Sequence, residues 1–150
     1  MPSNIPPYVY SLFASLVIGA IIVASCCISM LNVRNEADNQ QLTDIDQYVA
    51  TQSLALLAHL TENNQNITQF LDVPSEVGNQ IYWISVANDS AGAWVSSGFG
   101  TTAVLSQPRI YIPAQIAASG VFVSSYGRAV LELSLENQTI TLTLTGSDFA

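Results

Sequence analysis

An apolar stretch near the start of the chain contrasts with everything that follows it. Residues 8–33 read YVYSLFASLVIGAIIVASCCISMLNV and contain no charged side chain. At 1.5 Å per residue, a helix of this length would extend about 39 Å, more than the roughly 30 Å hydrocarbon core of a bilayer. The pattern predicts a retained transmembrane or assembly helix over residues 8–33, preceded by a short leader at residues 1–7.

A cleaved secretory signal is the main alternative for this stretch. Such signals have a basic first region and a shorter apolar core of about 7–15 residues. The leader MPSNIPP has no basic side chain, and no small-residue cleavage site followed by a polar start is visible. The retained helix is therefore the favoured interpretation.

The next segment, residues 34–62, keeps helical spacing but has only one apolar face. Its apolar positions recur at steps of three, four and seven, and they are Leu42, Ile45, Val49, Leu56 and Leu60. This spacing predicts an amphipathic extension of the helix that buries one face. The sequence TENNQN predicts where the helix ends.

From residue 66 onward, apolar and polar positions alternate with a period of two. The segments that alternate are NITQFLDVP, IYWISVA, AWVSSGFG, RIYIP, GVFVSSY and RAVLELSLENQTITLTLTG. Two hairpins are predicted: one from IYWISVA through the turn NDSAG into AWVSSGFG, and one within the last segment. Strands with one apolar face are typical of an antiparallel sheet or sandwich. The predicted fold class is therefore α+β: a long N-terminal apolar helix followed by a small antiparallel β-sandwich, the head domain, at residues 66–150.

The charge balance excludes one large class of partners. The chain has three basic residues, all arginine, against eleven carboxylates, and its formal net charge is −8. Such a surface repels phosphate, so no nucleic acid is expected as a partner. Arg34 is the only basic side chain near either end of the apolar helix, and alone it would place the following residues inside the cell. We nevertheless expect an extracellular head domain, because serine and threonine supply most of its polarity.

Candidate chemistry is sparse. His59 is the only histidine, and Asp44 and Asp46 diverge in direction if they lie on a helix. The serines have no G-x-S-x-G context, and no calcium-loop or glycine-rich phosphate motif is present. We therefore predict no enzyme activity, no catalytic or metal-binding residues and no cofactor.

Two sets of residues are candidates for assembly and modification. Ser11, Ser15 and Gly19 recur every four residues, and small residues at this spacing let a second helix approach closely in lipid. The sequons at Asn66, Asn88 and Asn137 are acceptor sequences for N-glycosylation. Both sets fit a membrane protein with an exterior domain.

The overall arrangement resembles archaeal type IV pilin-like proteins, a superfamily that includes pilins, archaellum filament subunits and archaellum accessory proteins. The features that carry the resemblance are the apolar run at 8–33, the stripe at 42–60 and the threonine-rich strands from 66 onward. Filament subunits have a basic leader that ends in a Lys/Arg-Gly cleavage site, whereas MPSNIPP has none and no basic residue precedes Gly19. The resemblance implies a non-enzymatic structural protein that self-associates through its N-terminal helix or with other pilin-like subunits, or an unprocessed, membrane-held accessory protein that contacts surface-layer protein.

A second hypothesis is a single-pass anchored binding module. Its head domain would recognise surface-layer protein or glycan through an exposed platform of Tyr82, Trp83, Trp94 and Phe99. Because these aromatic residues lie in alternating strands, core packing is the favoured interpretation of them.

Overall fold

A computed structural model describes residues 7–63, 66–104, 108–136 and 139–147. Within these residues, one helix, α1 (Pro7–Asn63), is followed by seven strands. The chain divides into two compact units, Met1–Ala37 and Asp38–Ala150, so α1 contributes to both. The division lies close to residue 34, where the sequence changes from uniformly apolar to amphipathic.

The seven strands form one sheet. In chain order they are β1 (Ile67–Phe70), β2 (Tyr82–Asp89), β3 (Gly92–Phe99), β4 (Ile110–Ile112), β5 (Ala117–Val123), β6 (Ala129–Glu136) and β7 (Thr139–Gly146). Their order across the sheet is β1-β6-β7-β5-β2-β3-β4. All neighbours are antiparallel except β5 and β7, which run parallel.

Both predicted hairpins are present. In β2–β3, Asp89 pairs with Gly92, and in β6–β7, Glu136 pairs with Thr139. The register of the second hairpin places Leu131 opposite Leu144 and Leu133 opposite Leu142. These four leucines are fully buried, as the alternating pattern predicts.

The parallel pair depends on a glycine. Gly120 has a φ of +132°, and a Cβ built on it would lie 2.1 Å from the backbone oxygen of Leu144. Any side chain at this position would clash with the β7 backbone. Gly120 therefore allows β5 to approach β7 closely enough to pair.

The core lies between one face of the sheet and the amphipathic part of α1. All five residues of the predicted stripe are buried, at 6% exposed or less. They join a single apolar cluster with sheet residues that include Tyr82, Ile84, Val95, Leu131 and Leu142. The helical extension and its buried face are thus present as predicted.

The α+β class is confirmed, and the arrangement of the strands is one continuous sheet instead of two stacked sheets. The layer that covers the sheet is the segment of α1 after residue 38, whose stripe shares the core with the strands. A period of two shows that a strand has one apolar face but not which element covers that face. The amphipathic helix provides the second layer that the prediction assigned to another sheet.

Candidate functional site

The first unit is dominated by uncovered apolar surface. Every side chain from residue 8 to residue 37 is exposed, including those of Phe13 (69% exposed), Leu16 (65%) and Met30 (77%). Soluble monomers rarely expose contiguous apolar patches above a few hundred Å², because water solvates them unfavourably. Among the described residues, α1 is the one helix that is long and apolar enough to cross a membrane. Its apolar part is compatible with a membrane anchor.

The predicted assembly residues lie in this uncovered part. The Ser15 hydroxyl donates a hydrogen bond to the Ser11 carbonyl oxygen at 2.9 Å. This bond satisfies a polar group within the helix itself, as an apolar environment requires. A Cβ at Gly19 would meet nothing within 4 Å, so the backbone there is open to close approach by a second helix.

Two of the three sequons can be located. Asn66 and Thr68 are exposed at the start of β1, and Asn88 and Ser90 are exposed at the end of β2 and in the turn after it. The third, at Asn137, lies outside the described residues. The two described acceptors are therefore accessible to solvent.

The aromatic residues do not form an exposed platform. Tyr82, Trp83 and Trp94 are 0%, 1% and 5% exposed, and Phe99 is partly buried against the core. The Trp83 ring lies over Gly98, where an added Cβ would come within 2.7 Å of it. The interpretation of these residues as core is confirmed, and the platform is wrong for the three buried rings.

A charged cluster closes the outer face of the sheet beside Trp94. The Arg109 guanidinium carbon lies 4.4 Å from the centre of the Trp94 ring and forms an ion pair with Asp89 at 2.9 Å. The Tyr111 hydroxyl donates to the same carboxylate at 3.1 Å. Hydrogen bonding from the Ala91 backbone N–H is the largest of the causes that hold the pKa of Asp89 below its usual value. Arg109 is thus held both by the Asp89 carboxylate and by the face of the Trp94 ring.

The second unit contains a cavity with a buried carboxylate. The cavity has a volume of about 280 Å³ and lies between the helix and the sheet, and its described lining residues are Asn39, Leu42, Thr43, Asp46, Ser97 and Pro108. Asp46 is only 6% exposed. Its Oδ1 atom has no hydrogen-bond partner, which is unusual for a buried carboxylate oxygen.

The protonation of Asp46 reflects its burial. Loss of solvation raises the pKa of Asp46 from 3.8 to about 6, although hydrogen bonds from the Ser97 side chain and backbone act in the opposite direction. The Ser97 hydroxyl has one proton, which it can instead donate to the Leu42 carbonyl oxygen 3.4 Å away. Asp46 is thus a buried carboxyl group with a raised pKa within a partly polar cavity.

The other candidate side chains are not brought together. Asp44 is exposed and accepts a hydrogen bond from the Gln40 amide at 3.0 Å, while Asp46 is buried, so the two aspartates diverge as predicted. His59 is exposed on the outer side of the helix. Within the described ranges, no group of three or more histidine, cysteine, aspartate or glutamate side chains is placed to hold a metal ion.

No known protein family, curated protein or solved structure matches this chain.

Sequence reasoning missed Asp46, although the signal was present. Asp46 follows Leu42 by four positions and precedes Val49 by three, so it lies within the apolar stripe of the helix. A carboxylate at such a position is expected to be buried against whatever the stripe contacts.

Proposed function

We propose that this protein is a non-enzymatic, pilin-like structural protein of the archaeal cell surface. Residues 8–33 anchor it in the membrane or assemble with the same helix of other subunits in a filament, and the head domain is extracellular. The observation that carries the proposal is the continuous apolar surface of residues 8–33, on which every side chain is exposed. Lipid or neighbouring helices would remove this surface from water.

The first experiment tests burial of the helix in full-length protein. Ile18→Arg with Ile22→Arg places two charges at successive turns of the apolar segment. Each charge costs about 2.5–3.5 kcal/mol near the middle of a membrane helix, so we expect the double variant to be lost from the membrane fraction after alkaline extraction, whereas the unsubstituted chain is retained.

The matched control is Gln47→Arg with Thr51→Arg, at exposed positions with the same spacing in the amphipathic segment. These substitutions should leave membrane retention unchanged. Recovery of the unsubstituted chain as a water-soluble monomer without detergent would contradict the proposal.

The second experiment tests assembly through the small-residue stripe. At 100° per residue, Cys26 lies on the same side of the helix as Ser15 and Gly19, whereas Cys27 points about 100° away. Both thiols are free and exposed. If this face forms helix–helix contacts, mild oxidation in membranes should give disulfide-linked dimers that Cys26→Ala abolishes and Cys27→Ala preserves.

Gly19→Ile should reduce the same crosslinking several-fold, because a branched side chain prevents close approach of the two backbones. Ile21→Leu is the matched control, since it keeps both size and apolar character on another side of the helix. Unaltered crosslinking in Gly19→Ile would show that the small-residue stripe does not form helix–helix contacts. The proposal that residues 8–33 anchor the protein in the membrane would be unaffected.

The second candidate is a single-pass anchored module that binds surface-layer protein or glycan. The cavity at Asp46 favours it over a purely structural role, since a binding module needs a recognition site. Negative-stain imaging of the producing cells separates the two candidates. Fibres that disappear when the gene is deleted indicate the filament subunit, and unchanged cell surfaces indicate the anchored module.

A further inference from the structure

The cavity at Asp46 combines one charged group with neutral polar and apolar walls. Asn39, Thr43 and Ser97 contribute amide and hydroxyl groups, and Leu42 and Pro108 contribute apolar surface. The Thr43 hydroxyl donates to the Asn39 carbonyl oxygen at 3.1 Å, which leaves its oxygen lone pairs available to accept. All of these residues belong to the second unit, so the site is formed within that unit, between the helical extension and the head domain.

Asp46 is the group in this cavity that needs a partner. Its Oδ1 atom is buried and has no donor to bond with among the described residues. Burial without a donor at Oδ1 makes ionisation of this carboxylate costly, even though Ser97 donates hydrogen bonds to the group, and the raised pKa of Asp46 reflects that cost. A bound, positively charged hydrogen-bond donor would offset the cost of burying the ionised Asp46 carboxylate.

The donor cannot be a lysine of this chain, because the sequence contains none. Two of its three arginines are engaged elsewhere: Arg109 with Asp89 and Trp94, and Arg128 over the Phe70 ring at 5.5 Å. The third, Arg34, belongs to the other unit. The net charge of −8 favours the approach of a cation from outside the chain.

The chemistry of the walls selects the kind of cation. Calcium requires six to eight oxygen ligands, commonly from several carboxylates, and this cavity offers one carboxylate. An ammonium group has three donors and needs only a few acceptors. The Asp46 carboxylate, the Thr43 hydroxyl and the Asn39 amide oxygen supply them, and Leu42 and Pro108 can pack against an alkyl stem.

We propose that the cavity lined by Asp46, Thr43 and Asn39 binds a primary alkylammonium group, supplied by a lysine side chain of a partner protein or by a free amine. Its volume of about 280 Å³ accommodates an ammonium group with a short alkyl stem. The proposal concerns the second unit alone and holds whether the apolar residues 8–33 lie in lipid or in a filament.

The test is a titration of the full-length protein in detergent micelles at pH 7, at constant ionic strength. The probes are n-butylammonium and a blocked tripeptide with a central lysine, and binding is followed by the ¹³C shift of the Asp46 carboxyl carbon. We expect saturable shifts that n-butanol and sodium do not produce. The source that binds at least tenfold more tightly, free amine or peptide lysine, identifies the natural occupant.

Two variants assign the effect to the cavity. Asp46→Asn keeps the shape of the side chain and should weaken binding at least tenfold, measured from the backbone amide shift of Ser97, whereas Asp44→Asn should change it less than twofold. Thr43→Val removes the hydroxyl acceptor and should weaken binding several-fold. This variant tests the site independently if Asp46→Asn fails to fold. A shift that sodium reproduces, binding that survives both Asp46→Asn and Thr43→Val, or no saturation with either probe overturns the proposal.

Discussion

The two ends of α1 share one backbone and have opposite surroundings. From residue 8 to residue 37 every side chain is exposed, whereas after residue 38 the stripe from Leu42 to Leu60 lies in the core of the head domain. Both ends form the same hydrogen-bonded helix, so helical structure alone does not distinguish them. The two ends differ because only the second end packs against the sheet of the same chain. Matched substitutions at the two ends should therefore change the stability of the folded domain by different amounts.

The largest contrast is expected for leucine-to-alanine substitutions. Leu60 is 1% exposed, so Leu60→Ala should lower the free energy of unfolding by about 2–5 kcal/mol through lost burial and a residual cavity. Leu16 is 65% exposed, and Leu16→Ala should leave the stability of the head domain unchanged. Both can be measured by urea unfolding in detergent micelles, followed by the fluorescence of Trp83 and Trp94.

Both tryptophans lie in the sheet, at β2 and β3, so the signal reports only on the head domain. Equal destabilisation by the two substitutions would show that the apolar end also supports the domain. The comparison between the two ends of the helix would then be wrong.

The next contrast concerns charge and pH. The folded-state pKa of Asp46 is raised from 3.8 to about 6, so folded protein holds this proton to a higher pH than the unfolded chain does. The contribution of Asp46 to the free energy of unfolding is therefore greatest below about pH 4. It falls as the pH rises to about 6 and stays at the lower value above that pH. The rise in the pKa of Asp46 from 3.8 to about 6 changes the free energy of unfolding by about 3 kcal/mol at most.

Asp46→Asn should remove most of this pH dependence and leave the domain more stable than the parent at pH 7. Asp44→Asn is the control. Because Asp44 is exposed on a different side of the helix, this variant should show the same change of stability with pH as the parent protein. Urea unfolding between pH 4 and pH 7 measures both. If Asp46→Asn and the parent protein show the same dependence of stability on pH, burial does not raise the pKa of Asp46 in the folded state.

The sequence was sufficient for the elements but not for the sites. Alternation from residue 66 onward predicted the strands and both hairpins, and the stripe that includes Val49 predicted the buried helical face. Three features depend on tertiary contacts that no local pattern encodes: the single sheet, its parallel β5–β7 pair and the cavity at Asp46. Gly120 is the clearest example, since its role exists only because β7 passes within 2.1 Å of an added Cβ.

The smallest contrast comes from two serines in equivalent local positions. Ser15 and Ser53 each donate to the carbonyl oxygen four residues earlier, at 2.9 Å and 2.8 Å. Ser53 is fully buried, so Ser53→Leu should cost about 1–3 kcal/mol through overpacking against the sheet. Ser15→Leu places the same side chain on open helix surface and should leave head-domain stability unchanged.

The serine pair separates packing from helix formation, because serine and leucine differ little in helix propensity and both substitutions remove the same local hydrogen bond. Any difference in urea midpoint between the two variants therefore measures what lies against the helix at each position. Equal midpoints would mean that the core tolerates the added volume at Ser53. A lowered midpoint for Ser15→Leu would instead place a protein surface against the apolar end, as contact between subunits in the micelle would provide.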